Sequence, residues 1–394
     1  MGLKMSVTRE AHQINSTENS LQETLAQLVA FDSVSSRSNT EIINYLAERT
    51  EGYGLIVKRF SYADENGVEK ENLIAIAGAD SSDSVEVELA LVGHTDTVPY
   101  DLAWNDALRL SERDGKLFGR GACDTKAFIA ASLAAMVAVD LKDLRRPLAL
   151  IFTADEEIGC IGAKHLADAR AIRPRYSIVG EPTCLQPIRA GKGYCLAEIT
   201  VRGREGHSAY PQLGASAIFR AARLVNRIER SADELKRDER AGFDPPYTTL
   251  NVGIIKGGKA KNIIAGECTF TLEWRPVPGQ NSKRVLDMVN AAIEEERKSD
   301  DDFDAEVRQA RLQAAMETPE DSPLVTFLEE ETGRAAGTIA FATEAPQMAE
   351  LGAQSVVFGP GDIRVAHRTG EFVSKEELQS ASRILTRAVE HFCM

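Results

Sequence analysis

At 394 residues, with 43% hydrophobic and 27% charged side chains, the chain has the composition of an ordinary globular protein and the length of about two domains. Its net charge of −14 argues against nucleic acid or an anionic membrane surface, both of which need basic patches, and suits a protein that gathers divalent cations. The longest apolar run, Phe128 to Val139, is too short to span a bilayer and reads as a buried helix.

The first residues carry no apolar signal-peptide core, which argues against export. Met1-Gly2 with Ser6 formally fits an N-myristoylation pattern, but so short a pattern matches often by chance, and the leader reads as disordered. Cys123, Cys160, Cys184, Cys195, Cys268 and Cys393 show no paired spacing, as expected of unpaired thiols in a reducing cytoplasm. Cys123 has no neighbouring basic partner and reads as a small buried filler. His12, His165 and His391 lie outside any chemical motif and are expected to be exposed.

Along the first half, strands and helices alternate. Short apolar runs at Glu88–Val92, Leu148–Phe152 and Tyr176–Val179 end at glycine or acidic residues, with helical patterns at 125–140 and 160–170 between them. This predicts an α/β fold with a mostly parallel sheet and helices on both faces. From about 188 the pattern changes to strand 194–201, helix 214–230, strands 248–255 and 267–274, helix 281–298 and strand 304–312. That β-α-β-β-α-β order is the ferredoxin-like split unit, an α+β domain inserted into the first. The predicted organisation is therefore a catalytic domain from 1–187 and 313–394, with an inserted domain at 188–312. No internal repeat or low-complexity tract interrupts it, and the acidic run Ser299 to Asp302 reads as a solvated loop.

Five possible metal ligands are scattered across this framework: His94, Asp124, Glu157, Glu181 and His367. Three of them, His94, Glu157 and Glu181, follow strand runs, where open α/β sheets bind their ligands. Two imidazoles and three carboxylates exceed the needs of one catalytic zinc, which takes three protein ligands and water. They suit two ions about 3.5–4 Å apart if one carboxylate bridges. In His94-Thr95-Asp96, the aspartate can accept the imidazole's second N–H and set its tautomer; a capped turn is the plainer alternative. Asp124 precedes a helix, so capping is its alternative role. Of the adjacent Glu156 and Glu157, one can ligate while the other stays free beside the attacking water as a general base; an acidic helix start is the alternative. Gly119-Arg-Gly121 with Thr125-Lys126 lacks the ending of a phosphate loop.

The segments Gly93-His94-Thr95-Asp96-Thr97-Val98-Pro99, Gly121-Ala-Cys-Asp124-Thr-Lys126, Asp155-Glu156-Glu157-Ile-Gly159 and Gly180-Glu181-Pro182-Thr183 resemble the signatures of a dizinc deacylase and exopeptidase family. That family includes acetylornithine deacetylase, succinyl-diaminopimelate desuccinylase, aminoacylases and glutamate carboxypeptidases, and the resemblance runs in order from about 20 to 390. It implies two divalent ions, zinc first and cobalt as the alternative, one on His94, Asp124 and Glu181 and the other on Asp124, Glu157 and His367. Glu156 then matches the general base and Asp96 the aspartate behind the first histidine.

By itself His207 reads as a surface-turn histidine. Gly203-Arg-Glu-Gly206-His207-Ser208-Ala209 resembles the family's lid segment, in which the histidine stabilises the oxyanion in the neighbouring subunit. A homodimer through the inserted domain is thereby implied. Asn262 and Arg275 match positions that contact the substrate carboxylate, although Asn262-Ile-Ile-Ala265 lacks the proline often found there. Thr343-Glu344-Ala345-Pro346 and Phe358-Gly-Pro-Gly361 resemble the acetylornithine deacetylase branch, which implies a small N-acyl amino acid as substrate. Glu344 is suited to a distal ammonium; the alternative is a strand-end surface glutamate. No nucleic acid or membrane partner is expected, and the expected compartment is the cytoplasm.

Overall fold

The computed structural model describes residues 21–79 and 85–394; His12 and the Met1-Gly2 acylation pattern lie outside them. Helices α1 (21–30) and α2 (Thr40–Gly52) lead into strands β1 (Ile56–Ala63), β2 (Glu69–Ala77) and β3 (Glu86–His94). Then come α3 (Lys126–Ala138), β4 (Leu148–Thr153), α4 (Ile161–Asp168) and β5 (Arg173–Val179). The middle of the chain holds β6 (Tyr194–Arg202), α5 (Ala217–Leu235), β7 (Thr249–Gly257), β8 (Glu267–Arg275), α6 (Arg284–Arg297) and β9 (Asp304–Gln313). The last part contains α7 (Pro323–Thr332), α8 (Ala345–Glu350), β10 (Gln354–Val357) and α9 (Lys375–Cys393).

Contacts divide the chain into two units. One comprises the described residues through Arg189, with Thr318–Gly337 and Thr343–Met394; the other comprises Ala190–Glu317 with Thr338–Ala342. The segment Thr338–Ala342 joins the second unit although it lies beyond the insertion expected at 188–312.

In the first unit the strands run in the order β1-β2-β4-β3-β5-β10. β4, β3, β5 and β10 are mutually parallel, while β1 and β2 form an antiparallel pair attached to β4. The central strands are buried along their length, as expected where helices cover both faces. Leu73, Leu91, Leu150, Ile178 and Val356 pack into a core with Phe128, Ile129 and Leu133 of α3, Leu324 and Leu328 of α7 and Leu385 of α9. Ile74, Val92, Ile151 and Val357 point away from that cluster, on the side where α4 and α8 pack against the sheet. The pair β1–β2 has no counterpart in the sequence reading. β1 is a half-exposed edge strand, Ile-Val-Lys-Arg-Phe-Ser-Tyr-Ala, with no long apolar run to mark it.

Two glycines fix how closely α3 approaches the strand ends. A side chain at Gly180 would place Cβ 2.3 Å from the Phe128 ring, and one at Gly93 would place it 3.0 Å from Ile129. Each precedes a candidate ligand, His94 or Glu181, so close packing draws the residues after β3 and β5 toward the start of α3.

In the second unit all four strands are antiparallel, in the order β7-β8-β6-β9. β6 and β8 alternate half-exposed and buried residues, which places Ile199, Val201, Phe270, Leu272 and Trp274 against Leu224 and Ile228 of α5 and Val289 and Ile293 of α6. With β6-α5-β7-β8-α6-β9 in chain order, this is the ferredoxin-like arrangement. Among the described residues, no helix is long and apolar enough to cross a membrane.

Candidate active site

Eight residues named from the sequence gather in the first unit. His94 ends β3, Asp124 immediately precedes the N-cap of α3, and Glu156 and Glu157 lie in the turn after β4. Glu181 follows β5, Glu344 caps α8, and His367 sits in a loop with φ 59°. Asp96 lies two residues beyond His94.

Asp124 divides its carboxylate between the two histidines. Oδ1 is 3.1 Å from His94 Nε2, and Oδ2 is 3.2 Å from His367 Nε2. His367 Nε2 also lies 2.9 Å from Glu157 Oε2. His94, Glu156 and Glu181 each offer an atom within 4.8 Å of the others, and so do Asp124, Glu157 and His367. The alternative of Asp124 as a helix cap does not hold: the cap position belongs to Thr125, which makes no side-chain capping bond.

So many acids in a buried space repel one another. Burial, reinforced by Glu157, Glu344 and Asp124 against the opposing pull of His94, pushes the Glu156 carboxyl up to about 8. Burial and the charges of Asp124 and Glu156 also hold Glu181 well above the usual carboxylate range. Burial opposes charge at His94, yet its bond to Asp124 and the surrounding carboxylates raise it well above the ordinary imidazole value. His367, bonded to Asp124 and Glu157, is pushed up to about 10. Asp124 moves the other way: burial would raise it, but bonds from His367 and His94 hold it low. A cluster that retains protons this way, with two imidazoles and four carboxylates converging, fits a pair of divalent cations that would displace those protons.

Asp96 is fully buried, but its carboxylate serves the turn after β4 more closely than the imidazole. The His94 ring meets the Asp96 main-chain oxygen at 3.0 Å through Nδ1, whereas the nearer carboxylate oxygen is 3.6 Å away. Oδ1 instead accepts the Glu156 N–H at 3.0 Å, and Oδ2 accepts the Glu157 N–H at 3.2 Å and the Ser35 hydroxyl at 2.7 Å. The tautomer of His94 is thus held chiefly by a backbone carbonyl.

Glu344 is 1% exposed, which overturns the surface-glutamate alternative, and its Oε1 has no hydrogen-bond partner. Burial pushes its carboxyl up to about 7, with Asp96 adding to the shift and His94 opposing it.

Several buried residues that serve this site were passed over in the sequence. Glu371 accepts the backbone N–H groups of Cys123 and Asp124 through Oε1, at 2.9 and 3.0 Å, and pairs with the buried Arg120 through Oε2. Lys70 pairs with Asp155 at 2.7 Å, both fully buried. The one available signal was position, since Asp155 adjoins Glu156 and Glu371 lies four residues beyond His367. Cys123 is buried with its thiol 3.6 Å from the Asp362 carbonyl, and His165 and His391 are exposed, stacking on Tyr62 and packing on Phe327.

The remaining three named residues belong to the second unit. His207 lies on a short strand paired with Ile263–Ile264; its ring is exposed and its Nδ1 accepts the Ala209 N–H at 3.1 Å. Asn262 is exposed beside it, its carbonyl accepting the Ser208 N–H. Arg275 ends β8, donates to Glu273 at 2.7 Å and to the Ala340 carbonyl at 3.0 Å, and stacks over the Tyr194 ring.

The model of peptidase family M20/M25/M40 matches residues 90–391. An acetylornithine deacetylase of Myxococcus xanthus is 53% identical over 374 residues, covering 95% of this chain and 97% of its own. That of Proteus mirabilis (strain HI4320) is 34% identical over 384 residues, covering 94% and 96%. Among solved structures, a tripeptidase from Staphylococcus aureus subsp. aureus Mu50 matches with TM-score 0.74 at 24% identity, covering 94% of this chain and 97% of its own. An M20 family metallo-carboxypeptidase from Sulfolobus solfataricus matches with TM-score 0.73 at 18% identity, covering 94% and 99%. At such identities the structural likeness shows the fold.

Proposed function

The chain belongs to peptidase family M20/M25/M40 and is a metal-dependent amide hydrolase, and we propose that it removes the acetyl group from N-acetyl-L-ornithine to release L-ornithine and acetate. The observation that carries the two-ion reading is Asp124, whose two oxygens each face a different histidine. Two divalent ions, zinc first and cobalt as the alternative, held by His94, Asp124 and Glu181 and by Asp124, Glu157 and His367, would polarise the amide carbonyl and acidify the attacking water.

Glu156 takes the proton of that water and returns it to the departing amine. Its environment suits the task, because a carboxyl raised by burial binds a proton more tightly than a solvated one and is a stronger base when ionised. Asp96 holds the Glu156 and Glu157 amides and so fixes where both side chains begin. His207 steadies the oxyanion. With Nδ1 accepting a backbone N–H, the ring carries its proton on the exposed Nε2, where it can donate. Asn262 and Arg275 bind the substrate carboxylate, for which a guanidinium fork is suited.

Substrate choice rests on Glu344, whose buried oxygen lacks a donor. A distal ammonium would supply one and hold the carboxylate ionised. The added carboxylates of a succinylated substrate would instead meet a like charge. We therefore expect kcat/KM for N-acetyl-L-ornithine to exceed that for N-succinyl-diaminopimelate by at least about 10²-fold. Glu344→Gln should lower activity on acetylornithine roughly 10- to 100-fold, from loss of a hydrogen bond between charged groups, and lower it less on N-acetylmethionine. Equal losses on both would assign Glu344 to structure, and preference for the succinylated substrate would overturn the proposed activity.

A homodimer through the second unit is part of this proposal. β7 is an edge strand with Ile254 and Ile255 exposed, and a groove of about 820 Å³ nearby is lined by Ile218, Phe219 and Ile263. Unpaired backbone beside apolar side chains suits a second copy. The cytoplasm remains the proposed compartment, supported by six free cysteines.

A further inference from the structure

The turn that carries Glu156 and Glu157 leaves β4 through Asp155, whose φ of 56° places it in the left-handed region. A non-glycine residue there costs on the order of 1 kcal/mol and persists where its surroundings hold it. Here the holding group is a lysine. Lys70, from β2, is 1% exposed and directs Nζ at three acceptors: the Ser35 carbonyl at 2.5 Å, the Arg37 carbonyl at 2.8 Å and Asp155 Oδ1 at 2.7 Å. An ammonium has three N–H bonds, so every one is matched. Asp155 Oδ2 accepts the Tyr62 hydroxyl at 2.9 Å, so both carboxylate oxygens are held as well.

These bonds close into a ring. Lys70 ties Asp155 to the Ser35 carbonyl, the Ser35 hydroxyl ties that residue to Asp96, and Asp96 returns to the amides of Glu156 and Glu157. The turn is thus gripped on its side-chain side by Lys70 and Tyr62 and on its backbone side by Asp96. A buried ion pair is weak evidence for stability, because its desolvation offsets its attraction. A pair that is buried, saturated with hydrogen bonds and adjacent to the chemistry has a different explanation.

We infer that Lys70 and Asp155 are positioning residues that hold the Glu156–Glu157 turn in its working geometry, with Tyr62 as a second tether. This rests on the reading of Glu156 as base and Glu157 as ligand. Outer partners of metal ligands commonly contribute about 10–100-fold in affinity or activity when removed. The pair acts on Glu156 and Glu157 and has no bond to His94 or Glu181, so its loss should fall on one side of the site.

The test compares wild type with the double variant Lys70→Met, Asp155→Asn. It leaves no buried charge behind and keeps at 155 a residue that tolerates the left-handed region. In metal-free protein, amide exchange at Glu156 and Glu157 should rise about 10-fold while that of Leu148–Thr153 stays unchanged. In metal-loaded protein, kcat should fall at least about 10-fold with KM near wild type, and one of two zinc equivalents should bind about 10-fold more weakly. Exchange and kcat within about threefold of wild type, whatever the melting temperature, would overturn the inference. If the double variant does not fold, Tyr62→Phe decides the matter: the same two amides must exchange about two- to threefold faster without a change in melting temperature, and unchanged exchange overturns it. The exchange measurement needs neither metal nor substrate, so faster exchange with undiminished kcat would leave the tether standing and count against Glu156 as the base.

Discussion

At the scale of single residues, neighbouring carboxylates have been assigned different work by their surroundings. Glu156 and Glu157 share a turn, but Glu157 lies within bonding distance of His367, whereas Glu156 accepts the Cys160 thiol at 3.2 Å and faces His94 and Glu181. If Glu156 is the base, Glu156→Gln keeps shape and removes the proton acceptor. We expect kcat to fall roughly 10²- to 10⁴-fold with metal content near normal. Loss of metal from this variant, alongside a metal-replete Glu157→Gln, would exchange the two roles. Asp124 should behave unlike its neighbours, since it touches both histidines. Asp124→Ala should lower occupancy of both ions after dialysis, while Glu181→Ala and Glu157→Ala each weaken mainly one. Elemental analysis decides this, and two tightly bound equivalents in Asp124→Ala would contradict a bridging role.

Between elements, the site depends on contacts far apart in sequence. Glu371, just before the strand Phe372–Ser374, holds the backbone of Cys123 and Asp124 in place ahead of α3 and is held in turn by Arg120. Arg120→Met would leave Glu371 buried without its cation. A broken buried pair costs about 3–5 kcal/mol, so the urea midpoint should drop by a corresponding amount. A change below about 1 kcal/mol, the level of an exposed pair, would show that Glu371 needs no partner. At this scale the alternation of strand and helix was readable, because the apolar runs of β3, β4 and β5 are buried on both faces. β1 and β2 were not, since a half-exposed edge strand rich in charge carries no run. Nor could spacing reveal that Asp96 reaches across to the turn after β4.

For the molecule as a whole, the retained protons predict how stability responds to pH and metal. In metal-free protein Glu156 titrates near 8 and Glu344 near 7, both raised by burial from 4.5, and His367 near 10, raised from 6.5 by Asp124 and Glu157. Raised folded values mean that the native state holds more protons than the unfolded chain between these limits. The stability they contribute is present below the unfolded values and is lost as pH rises through the folded ones, by about 1.4 kcal/mol per pH unit for each extra proton held. The melting temperature of chelator-treated protein should therefore fall between about pH 5.5 and 8. Added zinc should reverse the fall, because the ions displace the protons. A metal-free protein that becomes steadily more stable over that interval would contradict the proton-retaining cluster.

What the sequence determined by itself was the class of chemistry and the run of elements. His94, Asp124, Glu157, Glu181 and His367 announce metal binding through residue type and strand-end position, and period-two and period-3.6 patterns mark the two kinds of domain. What only the tertiary structure decided was the use of each side chain. Whether Glu344 is exposed, whether Asp96 serves an imidazole or two amides, and whether Lys70 is a surface charge or a buried tether all depend on burial and on partners up to 250 residues away in the chain, such as Glu371 for Arg120 at a separation of 251. Hydrogen bonding and desolvation act through space over a few ångströms, and sequence distance carries no record of that.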